Sequence, residues 1–357
     1  MRRNKDEFHD GAQDGLMALE PLNLNNIEGF DDLLTAMGHT AFGGRNLGEA
    51  AEVLDAMVSD PDCLIVSTFS GAMTVAKMGL LICEMIDRGW LQIIISTGAL
   101  MAHGLIEAVG QVHYKHDPNR SDEELYRLGY NRVYDTLEME ANLDYAEGVF
   151  TQVLEGMDKE RVLSSEIICA ELGKHLAEHT DQSGILRNAY LKGVPVYVPA
   201  FTDSELGLDV ANWMIGRAIK QGKSVEEALT SIQLNFNPFQ DLGSYGKRIL
   251  HAKKLGIFTI GGGVPRNWAQ QVGPFFDILQ NRLNITLPFV RFHYGVRICP
   301  EPAHWGGLSG CTYKEGISWG KFVPPAEGGR FAEVLCDATI AWPILLKAVM
   351  QRIDNRR

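Results

Sequence analysis

Short apolar runs alternate along the chain with stretches whose apolar residues recur at helical spacing. Residues 63–68 and 91–96 are the clearest runs, and small residues follow each of them. Helical patterns then extend to about residue 88 in the first unit and begin at about residue 105 in the second. Strand, small-residue turn and helix, repeated in that order, are typical of a parallel sheet. We therefore predict an α/β fold with a mainly parallel central sheet and helices on both faces.

The same patterns predict the remaining elements and the domain organisation. Further strands are predicted at residues 194–200, 257–260, 288–294 and 331–336. Helices are predicted at residues 30–37, in the stretch that ends near residue 57, and at residues 144–157, 165–179, 185–192, 210–221, 225–232, 245–254 and 269–283. Residues 1–25 are polar and predict a mobile N-terminal arm, which a single α/β domain follows over residues 26–357.

Two small-residue turns follow the first two predicted strands, and both are candidates for cofactor binding. Ser70 and Gly71 begin the first turn, and Thr97, Gly98 and Ala99 form the second. In Rossmann-like folds, backbone N–H groups of such a turn approach a pyrophosphate at a helix N-terminus. Neither strand is followed by a G-x-G-x-x-G run, so a tight turn without a ligand explains these residues equally well.

Composition narrows the class of protein. The 357 residues are 45% apolar and 22% charged, and the net charge is −12. This charge argues against nucleic acid as a main partner, since phosphate binding needs a basic face, and an acidic protein is a more natural host for cationic small molecules such as polyamines. The six cysteines form no CxxC pair, and neither a signal peptide nor a membrane-spanning run is visible. We expect a cytoplasmic protein with reduced thiols that binds neither nucleic acid nor membranes.

A lysine near the C-terminus is the candidate for covalent chemistry. Lys321 lies in the run K-E-G-I-S-W-G-K-F at residues 314–322, which we expect to be too short and too rich in glycine for a helix. A lysine amine attacks a carbonyl or imine carbon only when it is unprotonated, and burial against an aromatic wall favours that state. Trp319 is the candidate wall. A surface lysine after a strand is the alternative that these residues alone leave open.

Two histidines and an aspartate stand close together at His113, His116 and Asp117. Zinc sites use these residue types, but no third ligand stands at helical spacing from the two histidines. We interpret the three residues as part of a solvated loop in the polar region 111–165, whose loops and helices are expected to lie over the sheet. No metal site is predicted.

The segment E-G-I-S-W-G-K at residues 315–321 resembles the active-site segment of deoxyhypusine synthases. Similar motifs recur in the same order from about residue 38 to about residue 350. They include a Gly/Asn turn at 43–46, the two small-residue turns, an Asn-Arg pair at 131–132, P-A-x-T-D at 199–203 and a glycine triplet at 261–263. The resemblance implies an NAD-dependent enzyme in which Lys321 forms an imine with an aminobutyl group. It also implies a homotetramer with active sites at subunit interfaces.

The resemblance further assigns residues to the cofactor. The positions that match the family's NAD contacts are Ser70, Gly71, Thr74, Thr97, Gly98, Ala99, Asp203, Asp337 and Ala338. Gly71 replaces an asparagine of the family. Asp203 follows a predicted strand, where a carboxylate suits a ribose hydroxyl or a substrate amine, but helix capping by Asp203 or Ser204 agrees with the sequence equally well.

The chain departs from the family at the groups that bind a polyamine. Ala102 and His103 stand where the family has two glutamates, Leu308 replaces an aspartate, and Trp268 replaces the histidine proposed as a base. Asp209 stands one position beyond another lost aspartate and is its candidate substitute. Asp209, Trp268 and Leu308 are therefore predicted to lie in the substrate site.

His103 has two interpretations. It stands where an acid binds the substrate in the family, and imidazole is the usual general base near neutral pH, so His103 is the candidate catalytic base. A histidine at the start of a helix beside apolar residues is also a common packed cap.

Only Glu315, Trp319 and Lys321 of the substrate site remain at matched positions. Because a buried ammonium without a carboxylate is costly, spermidine is not expected to bind as it does in the family. We predict that NAD-dependent oxidation and imine formation at Lys321 are kept for another amine, such as putrescine or agmatine, and that a second small amine accepts the group, as in a homospermidine synthase. Two alternatives stay open: transfer to a lysine of a translation factor, and an NAD-binding oligomer without catalysis.

Overall fold

The computed structural model describes residues 3–158 and 160–356 of the chain. The strands in these residues are β1 (Cys63–Phe69), β2 (Ile93–Ser96), β3 (Tyr114–Lys115), β4 (Tyr130–Val133), β5 (Thr136–Met139), β6 (Val196–Tyr197), β7 (Lys254–Ile260), β8 (Phe292–Ile298) and β9 (Arg330–Val334). The helices are α1 (Phe30–Gly38), α2 (Phe42–Ser59), α3 (Gly79–Asp87), α4 (Gly98–Ala108), α5 (Asp122–Arg127), α6 (Glu140–Gly156), α7 (Ser165–His179), α8 (Ile185–Lys192), α9 (Glu205–Lys220), α10 (Val225–Thr230), α11 (Pro238–Ile249), α12 (Gly263–Gln270), α13 (Val272–Leu283), α14 (Tyr313–Ser318) and α15 (Ala338–Asp354).

Six strands form one parallel sheet in the order β6-β2-β1-β7-β8-β9. Successive side chains of a strand point to opposite faces, so one strand supplies two cores. Ile65 of β1 packs in a core with residues of α2, α3, α4 and α15, whereas Val66 packs in a second core with residues of α11, α12 and α13. The predicted Rossmann-like α/β fold, with helices on both faces of a mainly parallel sheet, is confirmed.

The strand order reverses between β1 and β7. From β1 the chain builds β2 and β6 on one side, and it then returns to place β7 on the other side. In open parallel sheets, ligands bind outside the carboxyl ends of the strands at such a switch point. Here the turns after the two strands meet, because Ser70 N donates to Ile260 O (3.1 Å) and Ser70 Oγ contacts the carbonyl oxygen of Gly262.

Two glycines shape this edge of the sheet. Gly71 has φ +74°, and a Cβ at this position would meet no atom within 4 Å. Asparagine is among the few other residues that adopt this left-handed conformation readily, so glycine can stand where the resemblance implies an asparagine. A Cβ on Gly262 would lie 2.5 Å from the Cα of Ser309, so the loop before α14 can approach only a glycine.

Several predicted boundaries are wrong for physical reasons. The helix predicted at 245–254 is α11, which begins earlier because Asn237 caps it and Pro238 takes its first position. It ends at Ile249, and Lys254 already belongs to β7. The strand predicted at 288–294 is β8. It spans Phe292–Ile298 because these are the residues that pair with β7. The helix predicted from residue 105 begins at Gly98.

The polar region 111–165 contains a second sheet that the sequence did not predict. It is antiparallel, in the order β3-β5-β4, and β4 and β5 form a hairpin in which Val133 stands opposite Thr136. Tyr134, in the turn, has φ +53°. A hairpin turn with this backbone conformation usually contains glycine, and this one does not, so nothing in the sequence indicated it. The helix predicted from residue 144 begins at Glu140, directly after β5.

Residues 3–29 carry only two 3-10 turns and expose most of their side chains. Glu20 N donates to His39 O (3.1 Å), which attaches this segment near the end of α1. Its mobility and the domain boundary at residue 26 stay predictions. Among the described helices, none combines the length and apolar character needed to cross a bilayer.

Candidate active site

Lys321 follows a short helix that the sequence did not predict. The side chain of Thr312 accepts from Glu315 N (3.1 Å) and so caps the start of α14. At the other end Gly320 has φ +70°, Gly320 N donates to Ile317 O (3.0 Å), and Lys321 N donates to Gly316 O (3.1 Å). This pair of bonds is a Schellman motif, which a glycine at this position completes. The expectation that residues 314–322 contain no helix is therefore wrong.

The main chain of Lys321 is also held by the central sheet. Phe292 N donates to Lys321 O (2.9 Å), and Val323 N donates to Phe292 O (2.9 Å), so the segment runs as a short parallel bridge beside the start of β8. The backbone of Lys321 thus has partners on both its N–H and its C=O. Its side chain reaches from this fixed point into a cavity.

The cavity beside Lys321 has a volume of about 700 Å³. Of the residues predicted for the substrate site, Leu308, Glu315, Trp319 and Lys321 line it together. Trp319 is 66% exposed in the single chain, so it forms part of the cavity rim and does not bury the amine alone. Glu315 is the only carboxylate among the lining residues, and most of the remaining wall is apolar or aromatic.

The environment of Lys321 lowers the pKa of its amine. Burial is the largest cause, and the nearby charge of Arg266 acts in the same direction, while Cys311 and Glu315 oppose the shift. The ammonium also makes one long hydrogen bond, from Nζ to Asn267 Oδ1 (3.4 Å). A lysine in such a site is unprotonated more often than a free lysine, which is what nucleophilic attack requires.

One face of α12 and α13 forms a wall that the sequence analysis missed. Asn267, Gln271, Phe275 and Ile278 line the cavity at successive helical spacings. That spacing was a readable signal. The resemblance instead directed attention to Trp268, whose ring stacks on Tyr245 with centroids 4.9 Å apart and is not among the cavity-lining residues. Its predicted role in substrate binding stays a prediction.

Two buried arginines fix the loop that closes the cavity. Arg266 and Arg297 are 1% and 2% exposed, and an Nη1 atom of each donates to Cys311 O at 2.7 Å. Arg297 also donates to Ser309 O (2.5 Å) and pairs with Glu333 (2.7 Å). Because buried guanidinium groups require acceptors, these contacts hold the loop tightly against α12 and β8.

The predicted cofactor residues lie at the carboxyl edge of the sheet, after β1, β2, β6 and β9. Thr74 is buried and donates to Leu100 O (3.0 Å), and Gly98 packs against Ser204, so these two shape the edge from within. Asp203 is exposed and precedes Ser204, which is the N-cap position of α9. Asp337 caps α15 by accepting from Thr339 N (2.7 Å), and Ala338 is buried.

Asp209 lies in a second cavity, of about 330 Å³, that Glu147, Glu205 and Ala102 also line. Burial, and then the charges of Glu147 and Glu205, raise the pKa of Asp209 to about 7. The structure does not place Asp209 among the residues around Lys321.

His103 is 8% exposed and lines neither cavity. Its Nδ1 faces Glu138 Oε2 at 3.3 Å. Its role as the base stays a prediction. The solvated-loop interpretation is wrong for His113, whose side chain is fully buried, because β5 brings Glu138 beneath it; Asp117 is exposed as expected.

The lowered pKa of Lys321 can be measured by competitive labelling of amines. We expect half-maximal acetylation of Lys321, followed by mass spectrometry, at a lower pH than for a lysine in a model peptide. Glu315→Gln should move this pH lower still, because the carboxylate favours the charged amine. Half-labelling at or above the pH of the peptide would contradict the assignment.

The raised pKa of Asp209 predicts a pH-dependent cost of folding. The neutral form of Asp209 is favoured in the folded state. Its contribution to the free energy of unfolding is therefore fully present below the unfolded pKa near 4 and is lost as pH rises through about 7. At about pH 8, Asp209→Asn should stabilise the protein by about 1–2 kcal/mol, allowing for partial solvent access. Urea unfolding should show this gain shrinking towards pH 4. Asp144→Asn, at the exposed rim of the same cavity, is the control, and an equal gain there would refute the assignment.

Comparison with known proteins identifies the family. A sequence model described as deoxyhypusine synthase matches residues 32–349. "Probable deoxyhypusine synthase 1" of Methanosarcina acetivorans is 31% identical over 350 residues, which are 98% of this chain and 100% of that protein. "Deoxyhypusine synthase-like protein" of Chlorobaculum tepidum is 31% identical over 315 residues, 88% of this chain and 84% of that protein. The crystal structure of a "putative deoxyhypusine synthase" from Entamoeba histolytica shares the fold, with a TM-score of 0.57 at 12% identity over 93% of this chain and 97% of that one. The chain belongs to the deoxyhypusine synthase family.

Proposed function

We propose that the protein is an NAD-dependent transferase that moves an alkylamine group between two amines through an imine on Lys321. The observation that carries the proposal is the position of Lys321. Its backbone is fixed by α14 and β8, and its amine, with a lowered pKa, enters a largely apolar cavity. A binding protein without catalysis would have no use for a lysine held in this way.

The proposed reaction has four steps. The donor amine is oxidised at the carbon beside its nitrogen, which gives an imine. Lys321 Nζ attacks that carbon, the bond to the leaving amine breaks, and the alkylamine group stays on Lys321 as an imine. The acceptor amine then attacks the same carbon and releases Lys321. Reduction of the resulting imine yields a secondary amine, so the overall transfer is redox-neutral.

NAD, when bound, supplies the hydride acceptor for the first step and the hydride donor for the last. The edge of the sheet at the β1–β7 switch point fits such a ligand. Gly71 is exposed and leaves open space, and Asp203 offers an exposed carboxylate for a ribose hydroxyl. Ser70, Thr97 and Ala99 border the same edge. Thr74, Gly98 and Asp337 would hold the backbone of that edge in position.

The lining of the cavity favours a small amine over spermidine. Glu315 offers one carboxylate, whereas Phe275, Ile278 and Leu308 offer apolar surface. Within the lining that one chain supplies, a substrate with several ammonium groups meets a single carboxylate, and a buried charge without a partner is costly. Diamines such as putrescine, or agmatine, are therefore better candidates for donor and acceptor.

Covalent trapping tests the proposal directly. Purified protein is incubated with NAD and with spermidine, putrescine, agmatine or homospermidine, reduced with borohydride, and digested for mass spectrometry. We expect an adduct on Lys321 with a small amine, dependent on NAD, because borohydride converts the imine to a stable secondary amine. The mass of the adduct identifies the transferred group.

Two variants make the trapping experiment specific. Lys321→Arg should abolish the adduct, whereas Lys314→Arg, which changes an exposed lysine of the same peptide, should leave it unchanged. No adduct with any of these amines, while NAD still binds, would refute the small-amine reaction. An adduct from spermidine that is released only by a translation-factor lysine would instead establish deoxyhypusine synthesis.

We further propose that the protein is a homotetramer whose active sites are completed across subunit interfaces. Exposed apolar side chains line the Lys321 cavity: Trp319 is 66% and Leu308 47% exposed. Light scattering after size exclusion should give a mass about four times the 39.5 kDa of one chain. Trp319→Ser should weaken the assembly. A monomer at micromolar concentration would refute this proposal.

A further inference from the structure

Three metal-ligand side chains meet in the interior, outside the Lys321 cavity. His103 comes from α4, His113 from the segment before β3, and Glu138 from β5. The residues His103 and Glu138 are 8% and 1% exposed, and the side chain of His113 is fully buried. One donor atom of each lies within 4.8 Å of the other two.

The geometry of the three donors suits a small cation. Glu138 Oε2 faces His103 Nδ1 at 3.3 Å and lies in contact with His113 Nε2. Zinc binds imidazole nitrogen and carboxylate oxygen at about 2.0–2.2 Å, which places neighbouring ligands of a tetrahedral ion about 3.3 Å apart. The first separation has this value, the three donor atoms all lie within 4.8 Å of one another, and the His113 ring must draw back from Oε2 to admit the ion.

The surroundings of the cluster point to the same conclusion. Asn142 Nδ2 donates to Glu138 Oε1 (2.8 Å) and to Val112 O (2.9 Å), so the carboxylate is oriented from behind with Oε2 turned towards the histidines. Carboxylates that bind metals are usually held in this way. Within the described part of the chain, the buried Nε2 of His113 has no partner other than the Glu138 carboxylate.

We propose that His103, His113 and Glu138 bind a divalent transition-metal ion such as Zn²⁺. Two imidazoles and one carboxylate are a ligand set that zinc and its first-row neighbours use, and they leave a fourth position for water. The ion joins α4 to the small antiparallel sheet. Because Nδ1 of a metal-bound His103 is no longer available to accept a proton, this role replaces that of the general base at this atom.

Lys77 competes with the metal in the ion-free protein. Its Nζ lies 2.7 Å from His113 Nδ1 and 2.7 Å from Glu107 Oε1. An ammonium that donates to Nδ1 leaves the ring proton on Nε2, the atom that must bind the ion. Metal binding at Nε2 therefore places the ring proton on Nδ1, which can then no longer accept from Lys77, and the half-exposed Lys77 side chain must turn away.

The test is the metal content of the intact protein. The full chain is stripped with a chelator, reloaded with Zn²⁺ or Co²⁺, desalted and measured by inductively coupled plasma mass spectrometry. We expect about one ion per chain and a Co²⁺ visible spectrum typical of nitrogen and oxygen ligands in low coordination. Glu138→Gln, which keeps the size of the side chain, changes a direct ligand and should weaken binding by more than the roughly 10–100-fold that loss of a supporting group costs.

Matched variants exclude adventitious binding. His116→Ala, on the same segment as His113, and His175→Ala, which breaks a stacked histidine pair on α7, should leave the ion in place. His113→Ala should remove it, and Lys77→Met should strengthen binding about tenfold by removing the competing donor. The proposal is overturned if reloaded wild-type protein holds no ion, or if Glu138→Gln, folded by circular dichroism, retains it with unchanged affinity.

Discussion

The carbonyl oxygen of Cys311 receives hydrogen bonds from two buried guanidinium groups, and the candidate active site depends on this interaction. Arg266 belongs to α12 and Arg297 to β8, so the bonds connect a helix, a central strand and the loop before α14 at one point. A buried cation without an acceptor is costly, which makes departure of the loop unfavourable. The wall opposite α12 and α13, and with it the helix that precedes Lys321, is therefore positioned by electrostatics as well as by packing.

The parallel sheet could be predicted because a buried parallel strand is a continuous apolar run, and the runs at β1, β2 and β7 are unambiguous. The errors arose where local sequence and tertiary context disagree. Glycines argued against α14, yet Gly316 faces the ring of Phe322 and Gly320 provides the left-handed residue that ends the helix. The hairpin of β4 and β5 was missed because its turn contains no glycine and its strands are polar.

The candidate site was predictable to the extent that its residues share one segment. Glu315 and Lys321 belong to a linear motif and were identified. Asn267 and Phe275 lie on one helical face whose spacing could have been recognised in the sequence but was overlooked. The grouping of His103, His113 and Glu138 could not be read from spacing, because three elements that are distant in sequence supply one residue each. A search for a third ligand at helical spacing finds only residues of one element, so it could not detect this grouping.

The main-chain bonds on both sides of Lys321 have a consequence for how such enzymes diverge. The origin of the lysine side chain is set by Gly316 and Phe292 through backbone atoms, which substitutions of neighbouring side chains leave intact. Apart from Glu315 and Trp319, the walls of the cavity are made largely of residues from α12, α13 and the loop before α14. Under the proposed reaction, substitutions in the side-chain walls would change which amine fits while the backbone bonds keep the origin of the Lys321 side chain in place.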